Sequence, residues 1–161
     1  MKPLFYIAIF LITNYCYSQT SVPDISIKSS TGNIINLKEL SKDKTIILNF
    51  WATWCVPCIN ELNAINEVYS EWQKETNVIL IAVSIDDHRT ISRVLPLANS
   101  NNWSYEILFD SNQELKRAFN ILNIPYQIAI NNNRIFYRHS GYSNGQENII
   151  INKVREALNP Q

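Results

Sequence analysis

Cys55 and Cys58, in the run Trp54-Cys55-Val56-Pro57-Cys58, are the residues whose type and spacing best support chemistry in this chain. Ahead of them stands Thr45 to Trp51 (TIILNFW), a compact apolar run rich in β-branched residues. Behind them, from Val56 to Lys74, apolar Leu62, Ile65, Val68, Tyr69 and Trp72 recur at helical spacing. The first pattern predicts a buried central strand and the second an amphipathic helix. Cys55 then falls at a helix N-terminus, where unpaired N–H groups and the macrodipole stabilise an anion. The thiolate is the nucleophile, so this position lowers the thiol pKa and raises the reactive fraction. Pro57 suits the first turn, since its missing N–H is one the helix leaves unpaired anyway. Cys58 lies about one turn further on, so its sulfur can reach back to that of Cys55. The expected chemistry is exchange: Cys55 attacks a partner disulfide and Cys58 resolves the mixed disulfide.

Other uses of a cysteine pair fit less well. A c-type haem site needs histidine directly after the second cysteine, and position 59 is isoleucine. A structural zinc site needs about four ligands, and only His88 and His139 remain, each alone in sequence. A structural disulfide across so short a gap closes almost no loop and so contributes little entropic stabilisation. Peroxidases carry Thr-x-x-Cys, whereas Thr53 lies only two residues before Cys55.

The remaining elements must hold this pair in place. Ile25 to Lys28 and Ile34 to Leu37, around Ser-Ser-Thr-Gly-Asn, read as a short leading hairpin. Val78 to Ile85 and Tyr105 to Phe109 read as two further buried strands. Between them Asp86-Asp87 can cap a helix patterned on Ile91, Val94, Leu95 and Ala98. Pro96 should kink that helix or mark its true start. Ser111-x-x-Glu114 reads as a capping box for a helix ending near Asn120. Gln127 to Asn131 and Arg134 to His139 are two strands joined through Asn132-Asn133, residues that tolerate the left-handed turn. A last helix, Gln146 to Leu158, is expected to bury Ile150, Ile151, Val154 and Leu158. Strand–helix–strand units followed by a hairpin and a closing helix give an α/β domain with a mixed central sheet flanked by helices.

Composition limits the partners. The 161 residues carry 14 basic and 14 acidic side chains without a long block of either sign. Nucleic acid or an anionic membrane surface is therefore not expected as the main partner. At the start, Lys2 precedes an unbroken apolar run, Leu4 to Ile12. That run is too short for a membrane-spanning helix of about 20 residues but suits an export signal. Cleavage after Ser18 is expected, leaving one domain over 19–161 and a periplasmic or secreted protein. The alternatives are an uncleaved anchor and a lipid on Cys16, the latter weakened by bulky Tyr15. With Cys16 removed, Cys55 and Cys58 are the only cysteines.

Asn49-Phe50-Trp51-Ala52-Thr53-Trp54-Cys55-Val56-Pro57-Cys58, with Glu61 beyond, resembles the TlpA/ResA branch of the thioredoxin superfamily. Tyr105 to Asp110, Ile124-Pro125 and Tyr137 to Tyr142 extend the likeness from about residue 22 to the end. The resemblance implies a thioredoxin-like fold outside the cytoplasm and dithiol–disulfide exchange with other proteins. Many members are reductants, some in cytochrome c maturation. It also implies a cis-proline at Pro125 facing the cysteines and leaving the Ile124 backbone to pair with a substrate chain. Tyr126 departs from the threonine that thioredoxins commonly carry there. Asn49 takes the place of the aspartate thioredoxins bury beneath the cysteines, and Glu61 is the candidate replacement, one turn beyond Cys58. A partly buried carboxyl there would act as general base and tune the thiols; a solvated helix glutamate is the alternative.

The expected site is thus Cys55, Cys58 and Glu61 for chemistry, with Trp54, Val56, Pro57, Ile124 and Pro125 meeting the substrate. Trp51 is expected to pack, Asp86 and Asp110 to cap helices, and His139 to be structural or on the surface. No cofactor beyond the redox-active disulfide and no metal is expected. The expected partners are protein thiols or disulfides and a membrane electron donor, with the chain a monomer. The Val56-Pro57 dipeptide and the family favour a reductant over a disulfide-donating oxidant. A non-catalytic copper module resembling the Sco family would carry CxxxC and a histidine, one residue more between its cysteines than this chain has.

Overall fold

A computed structural model describes residues 21–159. The export signal read in residues 1–18 lies outside the described residues. Strands β1 (Ser26–Lys28) and β2 (Ile34–Asn36) form the small antiparallel hairpin expected at the start. Asn36 then caps a short helix, α1 (Leu37–Asp43), by accepting from the Glu39 N–H at 3.0 Å. No helix is expected here from the sequence pattern.

The main sheet has β3 (Ile46–Trp51) at its centre, with strand order β5-β4-β3-β6-β7. β4 (Ile79–Ser84) and β5 (Glu106–Phe109) run parallel to β3, while β6 (Tyr126–Asn131) and β7 (Arg134–Ser140) are antiparallel. This is the mixed sheet of a thioredoxin-like fold. Every residue of β3 is buried, as its β-branched, doubly covered pattern requires. The hairpin turn Asn132-Asn133 takes positive φ at both positions.

Helix α2 (Val56–Thr76) follows β3 and stops where Asn77 adopts the left-handed conformation. It packs against the closing helix α5 (Glu147–Leu158). Odd-numbered β3 residues face α2: Asn49 bonds Glu61, and Trp51 packs edge-on against Trp103, whose Nε1 donates to Asn63 at 2.7 Å. Phe50 faces the opposite layer and meets Phe119. Two tyrosines fasten α2 to the sheet. Tyr105 donates to the Leu62 carbonyl at 3.0 Å, and Tyr69 Oη accepts from the Leu80 N–H at 3.0 Å.

Three local expectations are corrected. Asp86 caps no helix; the 3-10 turn Ile91–Arg93 and helix α3 (Val94–Ser100) begin further on, and Pro96 sits in the first turn of α3. Ser111 forms no capping box with Glu114. Gln113, the residue before α4 (Glu114–Ala118), takes a left-handed conformation, and Asp110 instead accepts from the Leu115 and Lys116 N–H groups at 3.0 and 2.8 Å. Leu158 is exposed, because α5 ends there and only Ile150, Ile151 and Val154 turn inward.

Candidate functional site

The site lies at the carboxyl ends of β3 and β4, where the chain turns from a rigid strand into α2. The Cys55 N–H donates to the Ala52 carbonyl at 3.0 Å, which closes the turn. Cys55 is the N-cap of α2, and Pro57 stands in its first turn. No acidic side chain shares that turn, so its free N–H groups and dipole are available to a thiolate. Cys55 and Cys58 are joined as a disulfide, with Cα atoms 5.3 Å apart. Their environments differ: Cys55 keeps 6% of its surface exposed and Cys58 none. A partner sulfur can reach only the first.

Around Cys55 the surface is apolar. Trp54 is 59% exposed and Val56 66% exposed, with Pro57 also open to solvent. The β3–β6 register pairs Phe50 with Tyr126, which brings residues 124–125 to the end of the sheet from which the cysteine loop leaves. The Ile124–Pro125 bond is cis. Pro125 is itself buried, so of this pair it is half-buried Ile124 that offers surface. Leu122, which no sequence motif marks, is 85% exposed in the same loop. Trp51 is fully buried, as expected.

Glu61 is 1% exposed, which rules out a solvated helix glutamate. Its carboxyl accepts a 2.6 Å hydrogen bond from Asn49 Nδ2. Burial pushes its pKa up from 4.5 to about 7; the Asn49 hydrogen bond opposes this and the Glu147 charge adds to it. Glu61 and Cys58 lie three positions apart on α2, both turned inward, so their side chains are neighbours. A carboxyl that titrates near neutrality beside a buried thiol can take up and return its proton.

Asp86 has a role that sequence did not show. Its buried carboxyl oxygens accept from Thr53 N–H at 2.9 Å, Thr53 Oγ1 at 2.6 Å and Ser84 Oγ at 2.8 Å. It therefore clamps the loop carrying Trp54 and Cys55 to the end of β4. A typical hydrogen bond stabilises by about 0.5–1.5 kcal/mol, and a buried donor left unpaired costs about 1–3 kcal/mol more. Asp86→Ala is expected to lower unfolding stability by about 3 kcal/mol, measured by urea denaturation; a change under about 0.5 kcal/mol would mean that water replaces the clamp without loss.

His139 stacks on Tyr137, with a ring nitrogen 3.4 Å from Gln146 Oε1. Among the described residues, no group of three or more His, Cys, Asp or Glu side chains is placed to hold a metal ion.

A family model described as AhpC/TSA matches residues 19–140. The thiol-disulfide oxidoreductase ResA of Bacillus thuringiensis (strain Al Hakam) is 32% identical over 108 residues, which cover 67% of this chain and 60% of ResA. The chain thus spans less than two thirds of the length of that curated relative. The solution structure of an uncharacterised thioredoxin-like protein from Porphyromonas gingivalis is 44% identical and superposes with a TM-score of 0.70 over 84% of this chain and 90% of that one. StoA from Bacillus subtilis, at 23% identity and a TM-score of 0.67 over 81% of this chain and 98% of its own, shares the fold. The resemblance to the ResA branch read from residues 49–61 is borne out by these relatives, and the chain belongs to the AhpC/TSA family.

Proposed function

We propose that this protein is an extracytoplasmic thiol–disulfide oxidoreductase that passes electrons from the Cys55–Cys58 dithiol to disulfides of other proteins. The carrying observation is the asymmetry of the pair, with Cys55 reachable at the N-cap of α2 and Cys58 sealed beneath it. In the reductive direction the Cys55 thiolate attacks one sulfur of the partner disulfide, and the partner's other sulfur leaves as a thiolate. The Cys58 thiol gives its proton to Glu61, and the resulting thiolate attacks Cys55 Sγ. That step forms the internal disulfide and releases the partner's second thiolate. Two electrons have then moved to the partner.

Trp54, Val56, Pro57 and Ile124 meet the partner chain, with Pro125 behind them. The relative ResA is named a thiol-disulfide oxidoreductase, which agrees with this chemistry. Export is supported by the apolar run Leu4 to Ile12 behind Lys2. Outside the cytoplasm the cycle needs a donor that returns electrons to the disulfide, and a membrane dithiol protein is the partner class that fits.

Direction is set by the reduction potential of the couple. Equilibration with a dithiol buffer is expected to place it near the thioredoxin value of about −270 mV. A value near the DsbA figure of about −120 mV would instead make the protein a disulfide donor.

A further inference from the structure

Thr53 and helix α3 bound a groove of about 460 Å³ beside the cysteine loop. One wall is a single helical face, with Ser92, Pro96 and Ser100 at i, i+4 spacing and Arg93 and Leu97 beside them. Thr53 stands across from it, and the next residue is the exposed Trp54 ahead of Cys55. The groove therefore continues the surface that meets the partner. It does so on a new side: α3 follows β4, residues 124–125 precede β6, and those two strands flank β3 on opposite sides.

The lining is predominantly apolar, and hydrogen bonds explain why. Thr53 Oγ1 donates to Asp86 at 2.6 Å and Ser100 Oγ to the Leu97 carbonyl at 2.8 Å, so neither hydroxyl donates into the groove. Exposed Pro96 and half-buried Leu97 add carbon surface. Arg93 is the exception, an exposed cation that enters no ion pair among the described residues. Arg89, earlier in the same segment, is spent on Asp87.

We propose that this groove seats the partner's own chain beside its reactive cysteine, taking an apolar side chain against Pro96 and Leu97 and an acidic one against Arg93. The covalent step fixes the occupant. A mixed disulfide at Cys55 anchors the partner over the loop, so the residues flanking its cysteine must lie on the surfaces to either side. From Ser92 to Ser100 the helix rises about 12 Å, the span of about four residues of extended chain. Apolar burial supplies most of the attraction, and the rim charge adds selectivity. The inference rests on the Cys55–Cys58 exchange proposed above and names its substrate class: a protein disulfide whose cysteine has an apolar and an acidic residue on one side.

The test uses symmetric peptide disulfides, each turnover converting one of them to two peptide thiols and the protein dithiol to the Cys55–Cys58 disulfide. Two series place leucine and aspartate before or after the cysteine, with glycine and serine elsewhere, and second-order rate constants are read at low salt. In one series, replacing leucine by glycine is expected to slow the wild-type protein by about tenfold. In that series, replacing aspartate by lysine is expected to slow it by about threefold. In the other series the charge is expected to make no difference. Arg93→Glu is expected to reverse the charge preference, so that the lysine peptide reacts faster; should that variant fail to fold, the wild-type series decide. Equal rates for all peptides overturn the groove while leaving the redox pair standing. An equal charge preference in both series also overturns it, since a long-range field alone would produce that. Rates per molecule that fall as protein concentration rises mean that a second copy fills the groove, and overturn it too. Reduction of no peptide at all overturns the exchange itself and the groove with it.

Discussion

Replacing Cys58 with serine should turn Cys55 into a trap, so that mixing the reduced variant with a protein disulfide gives a stable covalent adduct. The outer thiolate still attacks, because the helix N-terminus that activates it is untouched. The second half-reaction is missing, since no other described residue is a cysteine that could reach Cys55 Sγ. The helix N-terminus lowers the Cys55 thiol pKa and raises its thiolate fraction at neutral pH above that of a free cysteine. Adduct formation by Cys58→Ser at pH 7 should therefore exceed that of free cysteine. Cys55→Ser should form none, because Cys58 has no exposed surface. Mass spectrometry of the adducts checks both. Trapping through position 58 in place of 55 would reverse the assigned roles.

Glu61→Gln should have opposite effects on stability and on turnover. Folding raises the Glu61 pKa from 4.5 to about 7, so the folded state binds more protons than the unfolded state between those values. Stability then falls as pH rises through this window. Above it, the buried charge costs about 3 kcal/mol relative to acid pH. The glutamine variant removes that slope and should be the more stable protein at pH 8 by about that amount, while matching wild type near pH 4. Turnover should move the other way. Without a base for the Cys58 proton, resolution of the mixed disulfide at pH 7 should slow by about a hundredfold. Urea denaturation at several pH values and single-turnover kinetics measure the two effects. A flat wild-type stability profile between pH 4.5 and 7 would contradict the raised pKa.

Much of this site was legible in sequence because its signals are local. A strand that must be covered on both faces, a cysteine pair directly after it and a helical apolar stripe directly after that are all read within residues 45–74. The cis bond at Pro125 followed from family resemblance, and the burial of Glu61 settled a choice that spacing left open. The missed features depend on contacts between distant segments. Asp86 looked like a helix cap because an aspartate after a strand often is one, but its partner Thr53 lies 33 residues earlier in the chain. Ser111-x-x-Glu114 had the composition of a capping box, yet left-handed Gln113 redirected the cap to Asp110. Nothing in the period of α3 marks Thr53 as the residue across the groove from it, since that follows only from the folded chain.

In the proposed cycle electrons leave through Cys55, and the cycle ends with Cys58 bonded to it. Its most direct measurement mixes reduced protein with an equimolar protein disulfide and follows thiols on both by quenched alkylation. The expected result is one partner disulfide reduced for each Cys55–Cys58 disulfide formed, with no transfer by Cys55→Ser. Partner reduction that proceeds equally well in Cys55→Ser, or a wild-type dithiol that stays reduced while the partner disulfide persists, would contradict it.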